Sequence, residues 1–395
     1  MYRDVAAPVG LIWSSPFVRW QGRLSEVSSL DLAVAVAKRR LGDGGLDLAD
    51  IEGMVLGLTI PQEGAFFGGP TVAARLGATS VTGATVSQAC ATAVACIHAA
   101  ASTVSCGGGA QLVVTTDRTS NGPNLVYPRP SAPGGAPRVE NLVQENFARD
   151  PWAGTSMLHA AETVAGELGA TRDALDEITA LRYEQYERSL GADRAFQRGY
   201  MVPVEVDAGR GPSVEVAEDE GIRPIDLQAI GKLSPTVPHG LHTAASQTHP
   251  ADGTAGAVLT NQEEARAVSR GEGIVEVLGT GFARVAPSHM PQAPVPAADR
   301  ALRAAGLELS QVDAITTHNP FAVNDLYFST LTGVALESMN SFGCSLIWGH
   351  PQAPTGLRSI AELVQELQLR GGGIGLFTGC AAGDSAGAVV VRVAD

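Results

Sequence analysis

Along residues 89–116, ACATAVACIHAAASTVSCGGGAQLVVTT, the apolar positions first recur at helical spacing. After three glycines they run on as a strand-like β-branched stretch. Residues 353–380, APTGLRSIAELVQELQLRGGGIGLFTGC, repeat that order: helical pattern, Gly-Gly-Gly, then strand. A second pair of segments is also matched. AKRRLGDGGLDLADIEGMVLG (38–58) and ALRAAGLELSQVDAITTHNPF (301–321) each read as helix end, Gly-Leu-x-Leu turn, short acidic stretch and strand. Two copies of one α/β unit predict a duplicated, layered fold with buried sheets.

The stretch between the copies has another character. Residues 119–150 are rich in Pro, Gly and Asn and read as a long loop, of the kind that often carries function. A helix is expected over 158–188, with the Thr171 hydroxyl and an acidic first turn at its cap. Residues 202–247 read as irregular, with an acidic patch at EVAEDE, and 251–279 return to strand, helix, strand. Residues 119–249 are therefore an insertion over the first half. The N-terminal MYRDVAAPVGLIW reads as a first strand, not a signal peptide.

Composition narrows the function classes. The 395 residues are 45% hydrophobic and 17% charged, enough for two or three domains and a large core. The net charge of −14 argues against nucleic acid and against an anionic membrane surface as partners. No run is long and apolar enough to span a membrane. Five cysteines without a CxxC pair favour free thiols, no metal centre and a cytoplasmic setting.

Cys90 is the first candidate for chemistry. Free cysteine is commonly just core packing, and Cys96 and Cys106 are expected to be that. Cys90 differs because it stands where a helix begins, where the dipole and unpaired N–H groups favour thiolate. In the second copy His350 stands just before the equivalent helix. Pseudo-symmetry would bring the two helix starts together, and a Cys–His pair can activate a nucleophile. Cys380 and His318 end two further strands of the second copy.

These segments, in this order, resemble the thiolase superfamily over nearly the whole chain. SQACATA resembles the block around the acylated cysteine, which makes Cys90 the nucleophile. GHPQAPTG is similar to the Gly-His-Pro block, with His350 as its base. GCAAGDSAG resembles the C-terminal cysteine block, with Cys380 as second acid/base. HNPFA puts His318 at a family Asn, as in sterol-carrier-type thiolases. The resemblance implies a layered α-β-α-β-α fold: 1–118 with 250–271 as the N-terminal half, 119–249 as a loop domain over the site, and 272–395 as the C-terminal half. It implies oxyanion binding by the backbone N–H groups of Cys90 and Ala382. It implies substrate contacts from Met157, Thr248, Arg223 and Ser156, where Ser156 replaces a family histidine. Departures occur at Ala381, Ala382, Asp384, Trp348 and TTDRTSNGP.

The implied activity is an acyltransferase that makes or breaks a carbon–carbon bond between acyl-CoA thioesters through acyl-Cys90. Coenzyme A is then a substrate, and no cofactor is held permanently. A homodimer or tetramer is expected, with the apolar strand QLVVTT as the edge that pairs, and a small acyl-CoA-binding partner subunit stays open. Two alternatives remain: a ketosynthase-like enzyme with a malonyl donor, and a non-catalytic acyl-CoA-binding or scaffold subunit.

Overall fold

The computed structural model describes residues 2–44, 46–207 and 212–394. Gly45, in the expected turn of the first copy, and residues 208–211 of the stretch expected to be irregular lie outside them.

The N-terminal segment is not one strand. β1 (Ala6–Pro8) and β2 (Ile12–Ser14) are separated by a single turn of 3-10 helix and enter different sheets. β3 (Val18–Arg19) follows. The first copy is then α1 (Ser29–Gly44), β4 (Ile51–Gly57), α2 (Gly68–Leu76), β5 (Thr82–Val86), α3 (Thr92–Ser105) and β6 (Ala110–Arg118).

The inserted segment is more regular than its composition suggests. β7 (Asn124–Tyr127) and β8 (Arg138–Asn141) form a hairpin, and α4 (Leu142–Ala148) follows. The helix expected over 158–188 is two, α5 (Met157–Glu167) and α6 (Arg172–Ser189). The chain breaks at Gly169, whose φ is 64°. The expected cap is present, with the Thr171 hydroxyl accepting from the Ala174 N–H. After α7 (Gly191–Arg198), the stretch read as irregular holds a short hairpin, β9 (Val204–Val206) with β10 (Val214–Val216), and one turn, α8 (Leu227–Ile230).

The chain then runs through β11 (Ala251–Leu259), α9 (Gln262–Val268), β12 (Ile274–Arg284), α10 (Pro294–Ala305), β13 (Ala314–His318), α11 (Ala322–Thr332), α12 (Ser345–Trp348), α13 (Thr355–Leu369), β14 (Gly373–Ala381) and β15 (Ser385–Ala394).

The duplication is explicit in the sheets. One has the order β2-β11-β6-β4-β5, the other β1-β12-β15-β14-β13. In both, the strand after the triple glycine pairs parallel to an earlier strand of its copy, β6 with β4 and β14 with β13, and antiparallel to a later strand, β6 with β11 and β14 with β15. β1 belongs by its hydrogen bonds to the second sheet, so the first 118 residues do not build the first half alone.

α3 and α13 lie between the sheets, in one core with Val113 of β6 and Val389 and Val391 of β15. Small side chains let these two helices approach. A Cβ added at Gly356 would stand 3.0 Å from the Cβ of Ala93. α1 and α2 cover the outer face of the first sheet, and α10 covers that of the second. The result is the five-layer α-β-α-β-α arrangement.

The strand expected at the sheet edge is central. β6 sits between β11 and β4 and is buried along nearly its whole length. Its near-continuous apolar run marks a strand covered on both faces. The free edge belongs to β5, whose residues are largely exposed.

A buried ion pair ties the inserted segment to α13. The Arg358 guanidinium meets both oxygens of Asp219 at 2.5 and 2.6 Å, and neither side chain is exposed. The rings of Trp348 and Phe17 lie against the cation at 4.3 and 4.7 Å. Asp219 also accepts from the Phe17 N–H. Removing one partner leaves a buried charge uncompensated, so Arg358→Ala is expected to cost about 3–5 kcal/mol in denaturant unfolding. An unchanged midpoint would show that the pair does not brace the fold.

Candidate active site

The residues just before α3 make a tight elbow. Ala89 has a φ of 44°, uncommon for a residue with a side chain. The Thr92 hydroxyl accepts from the Gln88 N–H and donates to the Ala89 carbonyl. This clamp presents Cys90 at the floor of a cavity of about 250 Å³.

His350 reaches the same point from the other half. The preceding Gly349 has a φ of 94°, and a Cβ there would come within 2.6 Å of the His249 ring. Only glycine fits, which explains that residue of the block. His350 Nε2 lies 3.0 Å from Cys90 Sγ. Its Nδ1 lies 2.7 Å from the hydroxyl of Thr355, the first residue of α13. The tautomer with Nδ1–H donating to Thr355 leaves Nε2 free to accept the thiol proton.

Burial decides the resting protonation state. It pushes the Cys90 thiol up to about 12, although the backbone amides of Ala382 and Cys90 itself favour the thiolate. It pushes His350 down to about 3. Both shifts favour thiol and imidazole over thiolate and imidazolium as the resting pair. The N–H groups expected to favour a thiolate are present, but burial acts against them and is the larger influence.

His318, at the end of β13, stacks near His350 with ring centroids 4.2 Å apart. Burial and the neighbouring His350 hold it well below its usual range. Its Nδ1 lies 2.7 Å from Ser345 Oγ, and its Nε2 is buried without a hydrogen-bond partner. The Ser345 hydroxyl also reaches Asn319 Oδ1 at 3.2 Å. Donation to one acceptor or the other selects the His318 tautomer.

Cys380, near the end of β14, is fully buried and is not among the cavity-lining residues. Its thiol is pushed up by burial first and by Cys90 second, so it also rests protonated. Asn324 Nδ2 donates to its sulfur at 3.2 Å. The following turn is pinned by two carboxylates. Asp150 accepts from the Gly383 N–H, and Asp384 accepts from the N–H groups of Ser288 and His289.

The expected substrate contacts divide. Met157, Thr248, Ser156 and Ala382 line the cavity with Cys90 and His350. The Ser156 hydroxyl caps α5 by accepting from the His159 N–H at 3.1 Å. The Thr248 hydroxyl donates to the Ser345 carbonyl. Arg223 is exposed between β10 and α8 and is not among the cavity-lining residues. Trp348 packs on Phe17 and Arg358, away from the cavity. Cys96 is buried as expected, whereas Cys106, the C-cap of α3, is exposed.

Three residues were not singled out from the sequence. Thr355 stands inside the quoted GHPQAPTG and Asn324 inside TTHNPFAVND. The third, Asp117, lies in TTDRTSNGP, already noted as a departure. Its buried carboxylate accepts from the N–H groups of Thr59, Ile60 and Ala353 and from the Thr59 hydroxyl. It thus fastens the loop after His350 to the ends of β4 and β6.

Comparison with known proteins agrees with this geometry. Residues 13–263 match the thiolase N-terminal domain and 273–393 the thiolase C-terminal domain. The chain belongs to the thiolase family, and its class is that of a thiolase-type acyltransferase. It is 30% identical over 388 residues to acetyl-CoA acetyltransferase 2 of Arabidopsis thaliana, covering 94% of each chain. It is 28% identical to an acetyl-CoA acetyltransferase of Synechocystis, covering 93% of this chain and 94% of that one. The fold is shared with the acetyl-CoA acetyltransferase of Bacillus anthracis, with a TM-score of 0.92, 23% identity and coverage of 100% and 99%. It is also shared with human mitochondrial 3-ketoacyl-CoA thiolase in complex with CoA, with a TM-score of 0.90, 22% identity and coverage of 99% and 98%.

A resting thiol has a definite signature. Alkylation of Cys90 by iodoacetamide, followed by peptide mass because Cys106 is also accessible, is expected to accelerate about tenfold per pH unit from neutrality upward. A plateau below pH 8 would reveal a thiolate–imidazolium pair instead.

Proposed function

We propose that the protein transfers an uncharged acyl group between CoA thioesters, making or cleaving a carbon–carbon bond through acyl-Cys90. The observation that carries this reading is the 3.0 Å contact from Cys90 Sγ to His350 Nε2 at a cavity floor. His350 takes the thiol proton as Cys90 attacks the thioester carbonyl. The N–H groups of Cys90 and Ala382 hold the oxyanion that develops. Cys380, resting as a thiol, protonates the departing CoA thiolate. The Cys380 thiolate then removes an α-proton from a second acyl thioester, and the carbanion attacks acyl-Cys90. Collapse releases the product, and Cys90 recovers its proton from His350. Cleavage is the reverse sequence. When Ser345 donates to His318 Nδ1, the ring carries its proton on Nε2 and can donate to the enolate oxygen.

The walls support an uncharged acyl group. Phe147, Met157, Leu158, Met290 and Phe321 line the cavity, and among the described residues no Lys, Arg, Asp or Glu does. A malonyl carboxylate would meet no cation there, which weighs against the ketosynthase reading. Cys380 is the second discriminator, since decarboxylation needs no such base. Cys380→Ser, given 3-ketoacyl-CoA and CoA, is expected to lose at least about a hundredfold in turnover, because a hydroxyl is a far weaker acid, while acylation of Cys90 by a simple acyl-CoA, whose leaving group is already a stable thiolate, is spared more. Full turnover with malonyl-CoA and no thiolysis by the wild type would favour the ketosynthase.

The same reading includes a homodimer. β5 ends four residues before Cys90 and leaves one edge of the first sheet unpaired. Phe66 is 90% exposed just ahead of α2, which packs on that strand. Pairing of two β5 edges across a two-fold would satisfy the free backbone groups and brace the Cys90 elbow. Light scattering is expected to give the mass of two chains at micromolar concentration, and Thr85→Pro to lower it. A purely monomeric wild type would count against the pairing.

A further inference from the structure

We propose that Cys90, His350 and His318 form a binding site for one soft divalent cation, zinc foremost, which holds the unacylated protein in a reversibly inactive state. The metal-binding part stands on geometry alone. Only the inactivation rests on the acyl-transfer reading.

One sulfur and two imidazole nitrogens lie within 4.8 Å of one another, the one such group among the described residues. Three observations give this cluster the character of a site. His318 Nε2 is buried and has no hydrogen-bond partner, so in the Nδ1–H tautomer its lone pair is free to take a ligand. Each ring is held through its second nitrogen by a hydroxyl, Thr355 for His350 and Ser345 for His318, both at 2.7 Å. Such outer contacts orient histidine ligands and fix their tautomers. Cys90 and His350 also open onto the cavity, which supplies an entry path and a fourth position for water.

The distances fit. Tetrahedral zinc with one sulfur and two nitrogen ligands sets those atoms about 3.5 Å apart, so Cys90 and His350 separate by about half an ångström and His318 closes in by about 1.3 Å at most. A thiolate with two imidazoles favours zinc or cadmium over magnesium or calcium. On binding, the Cys90 thiol proton leaves to solvent and a sulfur–metal bond replaces the S–H bond. Ser345 then donates to Asn319 Oδ1 and accepts from His318 Nδ1–H. The nucleophile and its base are both occupied, so acylation stops. Conversely, an acyl group on Cys90 removes the thiolate ligand, so substrate and metal exclude each other.

The test uses the full chain, stripped with a chelator and kept reduced by a phosphine, with no acyl substrate present. Zinc affinity is read by competition with a chromophoric chelator, and cadmium by the thiolate-to-metal charge-transfer band. One ion per chain is expected. Cys90→Ser should abolish the band, His318→Gln should weaken zinc binding at least about tenfold, and Ser345→Ala by about 10–100-fold. Cys106→Ser should change nothing. Wild type acylated on Cys90 beforehand and freed of excess acyl substrate should lose the band, which covers the case of a variant that fails to fold. A band that survives in Cys90→Ser, or a wild type that shows none at saturating cadmium, overturns the proposal. Absence of acyl transfer in the metal-free protein, with the cadmium band still formed when the metal is added, would overturn the functional reading alone.

Discussion

The contact between Cys90 and His350 is the constraint that organises the rest. Its two atoms come from residues 260 positions apart, on opposite halves of a duplicated chain. They meet because α3 and α13 are packed side by side between two sheets, starting from the same end. That packing depends on small residues such as Ala93 and Gly356, and on β-branched strands buried on both faces. The first half supplies the nucleophile Cys90, and the second supplies its base His350 together with His318 and Cys380. The paired halves bring a nucleophile and its base together at one largely buried point.

Dryness sets the chemistry as much as proximity does. Desolvation keeps Cys90, Cys380, His350 and His318 all neutral at rest. Neutral groups at hydrogen-bond distance can pass protons in sequence as charge develops on the substrate, without holding an uncompensated ion between turnovers. The same arrangement exposes a sulfur and two nitrogens to any soft cation that enters. The supporting polar groups keep this geometry from relaxing. Asp117 anchors the loop after His350, Asn324 holds Cys380, and the Arg358–Asp219 pair fixes the inserted segment against α13.

Much of this was legible in the sequence because it is local. A period change across three glycines marks helix and strand in both copies, and Cys90, His350, His318 and Cys380 all stand at element ends. What was not legible depends on long-range packing. QLVVTT was expected at an edge, yet an apolar run cannot say which strands will flank it, and β6 lies in the middle. The thiolate expected at Cys90 rested on local N–H groups, whereas the dominant influence is burial by the second half. Asn324 and Asp117 looked like ordinary polar residues until the fold brought their partners to them. Arg223 carries no local signal of its distance from the cavity. Cys106 follows an apolar helix in sequence but caps it at the surface.

The central claim is that Cys90 becomes a covalent carrier only because His350 faces it. Peptide-mapped mass spectrometry after brief exposure to an acyl-CoA tests that directly. The acyl mass is expected on the peptide containing Cys90 in the wild type, and to fall at least about a hundredfold in rate in a folded His350→Ala variant, the scale of a lost general base. Acylation of another residue, or equal acylation of Cys90 with and without His350, would contradict the account.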